Sequence, residues 1–152
     1  MTDRAITLEV DNAAAVRELL RFNRAVTDFR VANKKVAIDL YGWTMRNYEN
    51  EGALVGGWAP LAPATVKRKL KQGYTARTLL RTGALRQNFA FFSDETQAGV
   101  GNRTSYSLPH EMGAPSRNLP RRRTMPEEIE MREIAERTYG AHVRNAAEGG
   151  TP

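Results

Sequence analysis

Residues 13–48 read AAAVRELLRFNRAVTDFRVANKKVAIDLYGWTMRNY, with no proline and Gly42 as the sole glycine. Apolar side chains recur at Val16, Leu19, Phe22, Val26, Phe29, Val36, Leu40 and Trp43, and polar Asn33 fills the gap in the series. Steps of three or four residues put these side chains on one helical face. The spacing predicts a helix over about 13–48, which unbroken would be about 50 Å long at 1.5 Å per residue. The pattern leaves room for a kink or short break near Asp28. In a small domain, such a helix is either a spine wrapped by the rest of the chain or a partner surface. Asp11 or Asn12 can cap its start. Upstream, Ile6, Leu8 and Val10 alternate with Thr7 and Glu9, the period of a half-buried strand.

Downstream, Gly52, Gly56, Gly57, Pro60 and Pro63 punctuate a loop in which Trp58 and Leu61 are expected to pack onto the core as anchors. Pro63 suits the first turn of a helix over 64–72, with Gly73 as its stop. Residues 79–85 are a second short helical candidate, interrupted by Thr82 and Gly83. Phe89–Ser93 and Gln97–Gly101 read as a β-hairpin about a Ser93-Asp94-Glu95 turn. Residues 102–124 read as a long irregular stretch of the kind that is functional or interfacial. Thr124 and Glu127 have capping-box spacing, Thr124 as N-cap and Glu127 reaching back. A last helix follows to about Tyr139, stopping at Gly140 or fraying through Val143. The expected fold is α+β: a long N-terminal helix and a C-terminal helix packed with a small antiparallel sheet containing a β-hairpin. It forms a single domain over 1–144, with a disordered tail over 145–152.

The 152 residues suit one domain. The absence of cysteine excludes a disulfide scaffold, a thiolate metal site and a cysteine nucleophile. No apolar run approaches a membrane span, and Met1-Thr2-Asp3-Arg4 does not begin a secretory signal, so a cytoplasmic site of synthesis without membrane contact is expected. The net charge of +6 is unevenly placed. Residues 61–125 carry twelve Lys and Arg against Asp94, Glu95 and Glu111, whereas residues 126–152 carry three Arg against six Glu. The basic middle favours polyanions or an acidic protein surface, unless it is simply a solubilising face.

No catalytic constellation stands out. His110-Glu111 lacks the second histidine of a zinc protease, and His142 falls on the face of Met131, Ile134, Ala135 and Thr138, where packing is the simpler role. Ser105 or Ser107 with His110 and Asp94 makes a triad only on paper, since no elbow glycines surround either serine. Gly99-Val100-Gly101-Asn102 reads as a hairpin end rather than a phosphate cradle. The expectation is a protein that is not an enzyme and uses neither metal nor cofactor. A hydrolase centred on His110 is the minor alternative. Two basic features remain as candidate interface or DNA-channel elements. Lys67, Arg68, Lys69 and Lys71 spread around a short helix and are otherwise a solvated face. Arg121, Arg122 and Arg123, at a loop-to-helix junction, suit phosphates or the carboxylates of a neighbouring chain. Neither feature reads a base sequence.

The motif order is Gly-Gly-Trp-Ala-Pro-Leu at 56–61, Leu-Leu-Arg-Thr-Gly-Ala-Leu at 79–85, a hairpin, Tyr-Ser-Leu-Pro-His-Glu-Met-Gly at 106–113 and Leu-Pro-Arg-Arg at 119–122. This order resembles the virion-morphogenesis family of tailed bacteriophages, which includes the tail-completion proteins of Mu-like and P2-like phages. The resemblance spans about 52–140. It singles out Trp58, Leu61, Thr82, Gly83, Leu85, Tyr106, His110, Gly113 and Pro120 as structural motif residues. Ser107 stands where the family has alanine, and its Pro-x-Arg-Pro-Phe-Leu junction becomes Pro120-Arg121-Arg122-Arg123-Thr124-Met125, charge and a helix cap in place of an apolar anchor. The resemblance implies a structural protein of the virion neck, completing the tail or joining it to the DNA-filled head. Its partners would be copies of itself in a ring of about six, a hexamer closed by head-to-tail contacts. Others would be head-side connector or portal proteins, tail terminator or tail tube proteins, and passing DNA. The alternative from a different class is a small basic nucleic-acid-binding protein free in the cytoplasm.

Overall fold

The computed structural model describes residues 13–149. The strand read at Ile6–Val10 lies outside them. The long helix is divided into α1, Ala13–Thr27, and α2, Arg30–Glu49. At the break, the Asp28 carboxylate accepts the Arg30 backbone N–H at 3.1 Å and also its guanidinium. A short acidic side chain that takes a first-turn N–H starts a helix rather than continuing one. The Arg30 side chain holds the Asp28 carboxyl down to about 2.

α2 is the spine. Val36, Leu40 and Trp43 pack with Ile134 in one core cluster, and Tyr48 packs with Trp58, Leu85 and Phe89 in a second. Asn33, the polar gap in the apolar series, is buried and joins three elements. Its amide donates to the Asp94 carbonyl at 2.9 Å and its oxygen accepts the Tyr139 hydroxyl at 2.7 Å.

After α2 come a 3-10 turn, Ala53–Val55, and helix α3, Pro63–Lys71, followed by Gly73 with φ +77°. Helix α4 is only Ala84–Gln87. Gly83, at φ +84°, and the Thr82 hydroxyl, which accepts the Ala84 N–H at 3.3 Å, form the turn before it. The antiparallel hairpin pairs β1, Phe89–Ser93, with β2, Ala98–Asn102, Phe89 lying opposite Asn102. Asp94 closes its turn by accepting the N–H groups of Thr96 and Gln97. The stretch read as irregular contains helix α5, Ser107–Met112, and a 3-10 turn, Pro115–Arg117.

The last helix, α6, spans Glu128–Ala147. Its capping box lies three residues later than the spacing suggested: Glu127 is the N-cap, and Glu130 accepts the Glu127 N–H at 3.0 Å. Thr124 is unavailable because its hydroxyl and N–H are bound by Glu111. α6 runs past Gly140 because His142 and Ala146 continue the buried face of Ile134 and Thr138. Asn145–Ala147, assigned above to a disordered tail, are therefore helical. The architecture is α+β, helices around one antiparallel hairpin. No described helix is long and apolar enough to cross a membrane.

Candidate functional site

Four stretches distant in sequence meet around one open groove of about 1020 Å³. The Pro60–Pro63 loop and α3 form one wall, Leu79–Leu85 another, and Tyr106, His110 and the Arg117–Arg122 stretch face them. The walls are fixed from behind. Trp58 is buried edge-on to Tyr48 at 5.3 Å and donates its indole N–H to the Arg123 carbonyl at 2.8 Å, tying the loop to the junction before α6. The Glu111 carboxylate takes the N–H and hydroxyl of Thr124, tying α5 to the same junction. Arg122 donates its backbone N–H to the His110 carbonyl at 2.8 Å.

The resemblance residues largely converge here. Leu61, Thr82, Gly83, Leu85, Tyr106, His110 and Pro120 all line the groove. Trp58 and Gly113 stand behind it. Gly113, at φ +78°, lies close enough to the Arg121 backbone that a Cβ would approach its nitrogen to 3.1 Å.

The basic residues divide. Arg68 and Lys69 line the groove, while Lys67 and Lys71 are exposed away from it. Lys69 departs from the solvated face expected for its helix. It is only 6% exposed, and its ammonium donates to the carbonyls of Arg77 and Leu80, the latter at 2.7 Å. Burial lowers its pKa, and the nearby Glu51 charge partly opposes this. The arginine run is spent mostly within the chain. Arg121 pairs with Glu127. Arg123 forms a two-pronged pair with Glu130, at 2.6 and 3.0 Å, and lies over the Trp43 ring. Arg122 alone reaches the groove. It is 4% exposed and donates to the carbonyls of Ala59 and Pro60 at 2.9 and 3.2 Å. The junction thus packs through charge pairs.

The groove's electrostatics are one-sided. Arg68, Lys69, Arg81, Arg117, Arg122 and His110 line it, and among the described residues no carboxylate does. Burial lowers the pKa of Arg122, and burial with the Arg122 charge lowers that of His110. His110 Nδ1 is buried without a hydrogen-bond partner among the described residues. Asp94, the acid of the paper triad, is engaged in the hairpin turn, and Ser107 is buried in α5. Among the described residues, no group of three or more His, Cys, Asp or Glu side chains could hold a metal ion. The arrangement suits recognition of negative charge.

Sequence reading missed Glu111 as a buried brace and Lys69 and Arg122 as buried cations. Charged residues are expected outside, and only the structure shows which carbonyls and hydroxyls satisfy them. No known family model, curated protein or solved structure matches the chain.

Proposed function

We propose that the chain is a structural protein of a tailed-phage neck, completing the tail or joining it to the filled head. In this reading, copies close into a ring of about six by head-to-tail contacts. The ring meets connector or portal proteins on one side and tail terminator or tail tube proteins on the other. The motif resemblance supplies the class, and one structural observation supports the assembly. α1 leaves Leu19 67%, Leu20 54% and Val16 44% exposed, while it packs chiefly against α6. A run of large apolar side chains on an amphipathic helix favours burial against another chain.

Phage particles made without this protein test the reading. The expected products are DNA-filled heads and separate tails. Unfilled heads would instead place the protein in packaging or in the portal.

A second reading, duplex DNA binding, draws on Lys67 and Lys71, which are exposed on α3 away from the groove. Such a binder loses affinity steeply as salt rises. Absence of binding near physiological salt would remove this reading.

A further inference from the structure

We propose that the groove is a docking site for an extended, carboxylate-bearing segment of a partner protein, whose acidic side chains reach Lys69 and Arg122. The proposal deepens the neck reading by stating what one neighbour presents, and in that respect rests on it.

Two buried cations carry the argument. Lys69 and Arg122 line the same cavity at 6% and 4% exposure, and neither is in an ion pair among the described residues. Each is held by backbone carbonyls, which satisfy donors but do not neutralise charge. A desolvated cation without an ion-pair partner is costly; the nearby Glu51 charge offsets part of that cost at Lys69, whereas only burial acts on Arg122, and an incoming anion relieves what remains. Arg68, Arg81 and Arg117 add positive potential around them, with no carboxylate among the described residues lining the groove to oppose it. Leu61, Leu79 and Leu119 line the groove as well, so apolar side chains between the acids would also find contacts. The depth of the cations favours an inserted side chain over a duplex. DNA phosphates lie on a broad backbone and are met by exposed Lys and Arg. A carboxylate on a slender chain can enter the cavity and approach the guanidinium beside the carbonyls that hold it.

The test is fluorescence anisotropy on the full chain with three labelled probes: a short peptide alternating Glu with Leu, the same peptide with Lys for Glu, and a single-stranded oligodeoxynucleotide. The expected result is salt-sensitive binding of the acidic peptide only. Affinity should fall about tenfold or more in Arg68→Glu/Arg117→Glu, and remain unchanged in Lys67→Glu. Arg122→Gln should weaken binding as well; should it fail to fold, the surface pair decides. No binding of the acidic peptide, equal binding of the basic peptide, preference for the oligonucleotide, or unchanged affinity in the double variant would each overturn the proposal. So would loss of self-association, rather than of peptide binding, in that variant. Peptide binding by a chain that never forms rings keeps the groove and removes the ring. Rings that ignore the peptide do the reverse.

Discussion

The Glu111 carboxylate accepts both the backbone N–H of Thr124, at 2.8 Å, and its hydroxyl, at 2.6 Å, within the interior. This brace fixes the junction before α6 to α5, and with it the wall bearing His110 and Arg122. In Glu111→Ala, the Thr124 donors, on a residue 1% exposed, lose their acceptor. The expected cost is about 1–3 kcal/mol for each buried group left unsatisfied. Chemical denaturation should show the midpoint falling without a change in slope. An unshifted midpoint would mean that solvent replaces the brace at no cost.

Gly52 and Gly56 separate steric crowding from backbone strain. Both have φ +84°, but a Cβ on Gly52 would lie inside the Trp58 indole, and one on Gly56 would meet nothing within 4 Å. Gly56→Ala should cost only the left-handed penalty, about 1–2 kcal/mol. Gly52→Ala should cost more, approaching the roughly 3–5 kcal/mol expected for Trp58→Ala. Thermal melts of the three variants check the order.

His110 should make stability depend on pH. Burial, reinforced by Arg122, holds its pKa below 6.5. The unfolded chain therefore takes up the proton first as pH falls. His110's contribution is full above 6.5 and declines below it until the folded-state pKa is reached. His110→Gln should lose less stability than the wild type between about pH 7 and about pH 5.5.

Glu130 acts in a lower window. The hydrogen bond from Arg123 holds its carboxyl below 4.5. Its contribution is present above 4.5 and is lost as pH falls through that value toward the folded-state pKa. Glu130→Gln, which also weakens the α6 capping box, should be less stable at neutral pH and show a flatter acid limb in melts.

Elements with a clear period or clear punctuation were legible in the sequence: the helical stretch of α1 and α2 from the apolar series, α3 from Pro63 and Gly73, and the hairpin from its alternating strands; the division at Asp28 was not, because it rests on the bonds that its carboxylate makes to Arg30. Short helices such as α5 were not, because Pro109 and neighbouring polar residues disguise a turn stabilised by tertiary contacts. The cap of α6 was misplaced because Thr124 and Glu127 have the right spacing, yet Glu111, distant in sequence, claims Thr124. The arginine run suggested a surface. Glu127 and Glu130 instead engage Arg121 and Arg123, while Arg122 turns inward toward carbonyls that no local pattern announces.

The mass of the purified chain in solution tests the central claim most directly, read beside Leu19→Glu/Leu20→Glu on the exposed face of α1. The account predicts a closed ring of about six copies for the wild type and a folded monomer for the variant. A wild-type chain that stays monomeric at every concentration, or a variant that assembles as well as the wild type, would contradict it.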